Sequence, residues 1–161
     1  MTRNECRKVP GLSQCTSRFA LRAFTTKFDA AGNKLVYSTY LGGTGGDIGY
    51  AIAVDCYGEA YIAGGTNSKD FPVKDAFQNK LKGSSGNAFI TKLDAAGCAL
   101  IYSSYLGGSV EDVAYGIGVD KCRNSYLTGT TYSSNFPTTT NAFQNSLAGE
   151  RDAFVTKVSA K

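Results

Sequence analysis

The chain of 161 residues contains neither histidine nor tryptophan. Without histidine, a catalytic nucleophile would have to be activated by a carboxylate, a lysine or a tyrosine, and a zinc site would depend on thiolates alone. Only two arginines follow residue 22, too few for a cluster that clamps an acidic substrate. These shortages predict a protein that is not an enzyme and that binds no metal or cofactor.

Long hydrophobic runs are also missing. No stretch approaches the roughly 18 apolar residues that cross a bilayer as a helix, so we expect no membrane insertion. Residues 1–22 lack the apolar core of about 7–15 residues that marks a secretory signal. We therefore predict that this chain carries no signal peptide.

Positive charge is concentrated at one end of the chain. Residues 1–22 hold five basic side chains and one acidic one, which accounts for the whole formal net charge of +4. From Ala23 onward, twelve basic residues balance twelve acidic ones. Because binding to nucleic acid needs clustered positive charge, we expect no nucleic-acid partner.

What the sequence does contain is an internal repeat. AFTTKFDAAG at Ala23–Gly32 returns 65 residues later as AFITKLDAAG at Ala88–Gly97 and, truncated, as AFVTKVSAK at Ala153–Lys161. The first two copies, extended to 50 residues, are identical at 26 positions. Such a period is typical of stacked or radial repeat folds. We therefore divide the chain into a basic lead-in at 1–22, expected to be flexible, and a repeat region at 23–161.

The five cysteines form no Cys-x-x-Cys pair. Two of them fall in the same turn of successive repeats, one position out of register. A disulfide between these two is therefore one interpretation. Equivalent turns are usually farther apart than the Cα separation of about 5.5–6 Å that a disulfide needs, so free thiols are the other interpretation. The cysteines are Cys6, Cys15, Cys56, Cys98 and Cys122, and the turn pair is Cys56 and Cys122.

Alternation of apolar and polar residues predicts short strands in each repeat. The first strands are Ala23–Asp29, Leu35–Leu41, Gly49–Asp55 and Ala60–Thr66, separated by glycine-rich turns. Over the whole chain the pattern predicts nine strands, in groups of two, four and three. Gly49–Asp55 and its equivalent Ala114–Asp120 have large residues on one face and only alanine or glycine on the other. We expect them to be the innermost and most buried strands.

A long connection with its own landmark follows the strand Ala60–Thr66 and its equivalent in the next repeat. The landmarks are FPVKDAFQ at Phe71–Gln78 and FPTTTNAFQ at Phe136–Gln144. Because a structureless loop of about 20 residues is unusual in a compact domain, we expect this segment to pack on the sheet as a lid with one helical turn. The phenylalanine that opens each landmark should be the first anchor, with Phe77 and Phe143 as the second.

The ordered motifs AFITKLDAAG, YSSYLGG, AYGIGVD, SYLTGTT, FPTT and NAFQ resemble the bacterial SBBP repeat, named for a seven-bladed β-propeller. The resemblance implies an all-β fold of propeller blades, each a four-stranded antiparallel sheet. Nine strands make about two and a quarter blades, fewer than the 4–8 or so of closed propellers. We therefore expect a partial or open propeller. Ser159 departs from the pattern, since the other repeats have aspartate there.

The resemblance also implies a context. Such repeats occur in large bacterial surface or secreted proteins, which favours an extracellular or cell-surface location. We interpret the chain as a non-enzymatic interaction or scaffolding module of a larger propeller, whose partners are a protein or further repeats of a parent chain. The alternative is a glycan- or cation-binding fragment of a propeller lectin. Tyrosines at strand spacing are better explained by packing between blades than by a sugar surface.

Three acidic residues in glycine-rich loops are the weak candidates for a binding site: Asp47, Glu111 and Asp112. Carboxylates beside flexible backbone can supply oxygen ligands to calcium. Because each loop offers only one or two carboxylates, we favour the alternative that the aspartates cap turns by accepting backbone hydrogen bonds. Asp55 and Asp120, which end strands before a turn, are interpreted in the same way.

The two ends of the repeat region carry overlapping strand types, which predicts completion of a blade between copies. Leu35–Leu41 of one copy would pair with Ala153–Val158 of the next, with Ala23–Asp29 displaced. Rings of three or four copies would hold six or eight blades, within the range of about 4–8 for propellers. The competing interpretation, which we favour from the sequence, is an open chain of blades whose parent supplies the neighbours.

Overall fold

The computed structural model describes residues 21–159, so nearly all of the lead-in, and the prediction made for it, lies outside the described residues. Within this range the chain forms nine strands and no helix, and hence nothing that crosses a membrane as a helix. The all-β class and the number of strands are confirmed. The strands are β1 (Ala23–Phe28), β2 (Leu35–Leu41), β3 (Asp47–Val54), β4 (Ala60–Thr66), β5 (Asn87–Leu93), β6 (Leu100–Leu106), β7 (Asp112–Val119), β8 (Ser125–Thr131) and β9 (Asp152–Val158).

The strands form three antiparallel sheets that follow chain order. We call β1–β2 the hairpin, β3–β4–β5–β6 blade one and β7–β8–β9 blade two. Blade one has the four strands of a propeller blade, whereas blade two has three in the described part of the chain. The predicted grouping of two, four and three strands is confirmed, and the fold is an open array of propeller blades.

Two hydrophobic clusters hold the sheets together, one on each face of blade one. Ala23 of the hairpin shares the first cluster with Phe89 of β5. Ile90, the next residue of β5, belongs to the second cluster with Leu127 of blade two. Because neighbouring residues of a strand point to opposite faces, β5 is buried along its whole length and serves both clusters.

The prediction that the third strand is the most buried is wrong. β3 lies at an edge of blade one and pairs only with β4, and Tyr50, Ile52 and Val54 are each about half exposed. β4 and β5 are the buried strands, since each has a neighbour on both sides. The rings of Tyr50 and Tyr115 meet between β3 and β7 with centroids 5.1 Å apart, so these tyrosines pack between blades as predicted.

A bulge near the start of each blade explains one of the repeated glycines. The pairing of β3 with β4 shifts between Gly49 and Ala51, and blade two has the same shift. A Cβ on Gly64, directly across this bulge, would collide with the Ile48 carbonyl oxygen and the Phe89 ring. Glycine therefore allows the close approach of two backbones and an aromatic ring.

Candidate functional site

The candidate Asp47 is buried at the start of β3. Its carboxylate accepts hydrogen bonds from the Gly43 N–H (2.9 Å), the Ser68 hydroxyl (2.9 Å) and the Thr66 hydroxyl (2.5 Å). These donors come from the loop after β2 and from the end of β4. The carboxylate therefore ties the end of the hairpin to blade one, and its role as a turn cap is confirmed.

Asp112 repeats this arrangement in blade two. Its carboxylate accepts hydrogen bonds from the Gly108 N–H (2.9 Å) and from the hydroxyls of Thr131 (2.5 Å) and Ser133 (3.1 Å). A fourth bond, 2.9 Å long, comes from the side-chain amide of Asn87 in blade one. Because two carboxylates 65 residues apart hold the same loop geometry, both serve the repeat architecture.

Asn87 belongs to this site although the sequence analysis did not single it out. It is fully buried, and its Oδ1 accepts hydrogen bonds from the Gln78 amide (3.0 Å) and the Lys82 N–H (2.9 Å) while its Nδ2 donates to Asp112. It therefore fixes the lid of blade one and the first loop of blade two at once. The available signal was its place directly before the AFITK motif, where blade two has Asp152.

Glu111 is exposed and shares a groove of about 590 Å³ between the blades with Asp112. Loops that carry Thr44 and Asn67 form the other wall. Asp47 does not line this groove, so the structure brings together two of the three candidates. Over residues 21–159, no three acidic or cysteine side chains are arranged to hold a metal ion.

The turns at the other end of β3 and β7 are capped in a second way. Asp55 accepts hydrogen bonds from the N–H groups of Tyr57 and Glu59 (both 3.0 Å) and from the Tyr61 hydroxyl (3.2 Å). Asp120 caps the corresponding turn of blade two by the same kind of bonds. The prediction that both aspartates cap turns is confirmed.

A charged cluster joins this end of blade one to blade two. The Nζ of Lys92, a buried residue, lies 2.5 Å from Glu59 Oε2 and 3.9 Å from Asp55 Oδ2. Burial would lower the pKa of the Lys92 ammonium, but its contacts with Glu59 and Tyr61 outweigh burial and raise this pKa. Arg123 of blade two approaches the same Glu59 oxygen at 3.8 Å. The positive charges of Lys92 and Arg123 are thus balanced by the carboxylates of Asp55 and Glu59.

The pKa values of both turn aspartates are held below the ordinary carboxyl range. Burial opposes ionisation of Asp55, but hydrogen bonds from the backbone of Glu59 and Tyr57 outweigh burial and lower its pKa. For Asp120, the side-chain amide of Asn124 is the main cause of the lowered pKa, and backbone N–H groups add to it. The turns therefore stabilise the ionised carboxylates.

We expect the fold to lose stability when the pH falls below about 4. A carboxyl with a lowered folded pKa contributes stability above its unfolded pKa, and this contribution disappears as the pH falls through the folded value. Asp120→Asn should therefore reduce the loss of Tm between about pH 5 and pH 2, and Glu150→Gln at an exposed position is the control. Calorimetry in which Asp120→Asn and wild type lose Tm in parallel would contradict this assignment.

The prediction that Phe71 is the first anchor of the lid of blade one is confirmed. The ring of Phe71 is buried, with its centroid 4.6 Å from that of Phe89 and 5.8 Å from that of Tyr105. The Phe71 N–H donates a 3.1 Å hydrogen bond to the Tyr105 hydroxyl. No helical turn forms in this connection, since Lys74 pairs with Ser103 of β6 in an isolated β-bridge.

The second anchor is Gln78, and the prediction of Phe77 is wrong. The Gln78 N–H donates to the Ser104 hydroxyl (3.0 Å), and its Oε1 accepts from the Gly107 N–H (3.1 Å). Phe77 is exposed. The chain bends at both residues, which directs the Gln78 side chain to the sheet and the Phe77 ring to solvent. An amide also satisfies backbone groups that a phenyl ring would leave without partners.

The lid of blade two is only partly covered. Phe136 packs on Phe154 with ring centroids 4.7 Å apart, yet it is only half-buried. Phe143 is fully exposed, so it is not the predicted second anchor either, and Gln144 instead donates a 2.7 Å hydrogen bond to Asp152. Phe136 is less covered than Phe71 because no described strand lies beyond β9 to supply the tyrosine that covers Phe71 in blade one.

An open cavity of about 540 Å³ marks the place beside β9 that β6 fills in blade one. Its walls include Phe136, Phe143 and Leu147 from the lid, and Phe154 and Thr156 from β9. We call this cavity the slot. It is the place where a further strand would fit beside β9.

Three of the cysteines are free and exposed: Cys56, Cys98 and Cys122. No disulfide therefore joins Cys56 to Cys122, and the alternative of free turn thiols holds for these residues. Cys6 and Cys15 lie outside the described residues, and their state stays open.

Comparison with protein-family models gives a match in two segments of the chain. The family model described as SBBP, a β-propeller repeat, matches residues 36–72 and again residues 101–137. Each match begins in the last strand of one sheet and ends at the Phe-Pro pair of the following lid. No curated protein matches the chain.

Proposed function

Because the chain carries β-propeller repeats of the SBBP family, we propose that it is a non-enzymatic interaction module whose incomplete blade accepts a strand from a protein partner. The slot in blade two is the observation that carries this proposal. β9 pairs with β8 on one side, and within residues 21–159 no strand pairs with its other edge. A free strand edge is a template for pairing with another chain.

Blade one indicates what the partner strand must offer. Tyr105 of β6 packs on Phe71, and its hydroxyl donates a 2.6 Å hydrogen bond to the Ser68 carbonyl. The Ser103 hydroxyl donates a 2.6 Å bond to the Pro72 carbonyl. A strand with a serine followed two residues later by a tyrosine would make equivalent contacts with the lid of blade two. The recognition is therefore of a β-strand with small hydroxyl and aromatic side chains.

The hydrogen bonds that the acidic residues accept support the proposal that the module is not an enzyme. The carboxylates of Asp47 and Asp112 accept at least three hydrogen bonds each from loop and strand donors, so they serve to hold the blades. We further propose an extracellular or cell-surface setting in a bacterial protein, on the strength of the family resemblance. An epitope tag on the protein in intact source cells tests this setting, because a protease added outside the cells should remove a surface-exposed tag. A tag that stays protected from the protease would contradict the proposal.

Binding of a synthetic strand tests the proposed function. The peptide ALIYSSYLGG, residues 99–108, contains β6 with its flanks. We expect the fluorescein-labelled peptide to bind the full chain, seen as a rise in fluorescence anisotropy. The same peptide with Tyr105→Ser should bind about tenfold more weakly or worse, because it lacks the aromatic anchor.

Two controls locate the binding. Phe136→Ser in the full chain should weaken peptide binding because Phe136 lines the slot. Phe77→Ser should leave binding unchanged, since Phe77 is an exposed lid residue of the blade whose fourth strand is present. Equal binding of a scrambled peptide, or the same affinity for both variants, would contradict the proposal.

A further inference from the structure

We propose that the partner is a second copy of this chain, whose hairpin enters blade two in place of β9. The composite blade would have the order β7–β8 from one copy and β1–β2 from the next. This inference rests on the proposed function, because it uses the same slot. It goes further in naming the occupant and in stating which strand leaves.

The hairpin has the geometry of the last two strands of a blade. Its register pairs Ala23 with Leu41, as β5 and β6 of blade one pair Ala88 with Leu106. Both pairs also have a register shift at the equivalent place, between Lys27 and the next residue in the hairpin. The hairpin therefore already has the shape that the place beside β8 requires.

Two exposed aromatic residues of the hairpin match the open lid. Phe24 is 70% exposed and Tyr40 is 82% exposed, whereas their equivalents in blade one, Phe89 and Tyr105, are 0% and 1% exposed. Phe89 and Tyr105 are buried because Phe71 of the lid packs on both rings. Phe136 is the equivalent of Phe71 in blade two. Entry of the hairpin would place both exposed rings under this lid.

β9 is the strand that the hairpin can replace. β1 and β9 share the AFxTK motif, so β8 would meet the same residue types in either strand. Lys157 lies 5.4 Å from the Tyr126 ring centroid, and Lys27 has the corresponding position in β1. The exchange keeps the number of strand pairs, because pairing of β8 with β1 replaces pairing of β8 with β9. Burial of Phe24 compensates for the exposure of Phe154, and burial of Tyr40 is the additional gain.

In the alternative arrangement, β2 is added beside β9, and fewer of the hairpin's exposed aromatic residues reach the lid of blade two. In that arrangement β2 must release β1, because both β1 and β9 would pair with the same edge of β2. Only Tyr40 would then reach the lid, and Phe24 would leave the blade with β1. The entry of the intact hairpin seats both rings and keeps every pair between β1 and β2.

The arrangement extends from copy to copy in one direction. The hairpin keeps its contacts with its own blade one through Ala23 and Leu41 while its other face enters blade two of the preceding copy. The interface is therefore head-to-tail, and repeated addition gives a closed ring or an open filament. Each copy contributes two blades to the assembly.

Engineered disulfides test the proposal directly. In blade one Ala63 lies opposite Ile90 across β4 and β5, and the equivalent pair in the composite blade is Thr128 of one copy and Thr25 of the next. We expect the variant with Thr25→Cys and Thr128→Cys, in a chain whose five natural cysteines are serine, to form covalent dimers and larger species when oxidised glutathione is added. Directly opposite residues of paired strands have Cβ atoms about 4.5–5.5 Å apart.

A second cysteine pair distinguishes the two arrangements. Thr39→Cys with Val155→Cys reports β2 of one copy beside β9 of another, by the register of Ser104 opposite Ile90 in blade one. We expect this pair to give no linked species. Linking through Thr39 and Val155, or no linking by either pair, would overturn the proposal. If the β6 peptide binds but neither pair links, the slot accepts strands and the occupant is not a second copy.

Matched variants of exposed residues complete the test. Tyr40→Ser added to the Thr25 and Thr128 pair should reduce the linked fraction at least about fivefold, because an aromatic interface anchor is lost. Phe77→Ser is the control and should leave the linked fraction unchanged. Both residues are exposed in one copy, so neither substitution removes a core side chain. An equal linked fraction in the two variants would show that the hairpin face makes no contact and would overturn the proposal.

Discussion

Replacing Phe71 by alanine is expected to lower the free energy of unfolding by about 3–5 kcal/mol. The ring is buried against Phe89 and Tyr105, and its removal leaves a cavity between the lid and blade one. Without the ring, the lid is less firmly packed, so the hydrogen bond from the N–H of residue 71 to the Tyr105 hydroxyl should weaken as well. Urea unfolding followed by circular dichroism measures the effect as a shift of the midpoint at constant slope.

Phe77→Ala is the matched control for this prediction. It removes the same ring from the same lid, six residues later, but from an exposed position. We expect a change within about 0.5 kcal/mol, as for surface substitutions in general. Similar losses in the two variants would contradict the assignment of Phe71 as the anchor and Phe77 as an outward side chain.

Asp112→Ala is the second substitution with a large expected effect. It leaves the Gly108 N–H and the hydroxyls of Thr131 and Ser133 without their acceptor in a buried loop. It also removes the bond from the Asn87 amide, which keeps its bonds to the carbonyls of Gly86 and Gly108. Each buried donor without a partner costs about 1–3 kcal/mol, so we expect a total loss of at least about 3 kcal/mol. Because Asn87 belongs to blade one, contact between the blades should weaken as well, which urea unfolding and amide hydrogen exchange at β5 would both measure.

Glu111→Ala provides the control beside it. Glu111 is the next residue along the chain and lines the same groove, but its side chain is exposed. We expect a change within about 0.5 kcal/mol. If Glu111→Ala destabilised the fold as much as Asp112→Ala, the groove would depend on its acidic charge, and the cap assignment would be wrong.

The strands were predictable because the information for them is local. Alternation with a period of two placed β1, β2 and β4 close to their final bounds, and the glycine turns separated them. The 65-residue period supplied the grouping into blades, since each group repeats the same order of strands. Turn caps such as Asp55 were also predictable, because an aspartate accepts hydrogen bonds from N–H groups only a few residues away.

Contacts between distant segments could not be predicted in the same way. Asn87 joins a lid nine residues before it to a loop 25 residues after it, and nothing in its neighbourhood distinguishes it from other polar residues. Gln78 could not be predicted as the anchor, because hydrophobicity favours Phe77, whereas the lid needs an amide to bond with backbone groups. The exposure of β3 could not be predicted, because small residues on one face of a strand do not reveal whether the large side chains on its other face have a neighbour.

The mass of the full chain in solution tests whether blade two is completed by a second copy. Multi-angle light scattering at several concentrations measures this mass without any variant. We expect a mass above that of the 17.0 kDa monomer, increasing by whole copies as the concentration is raised. A folded protein that stays at 17.0 kDa at every concentration would contradict it.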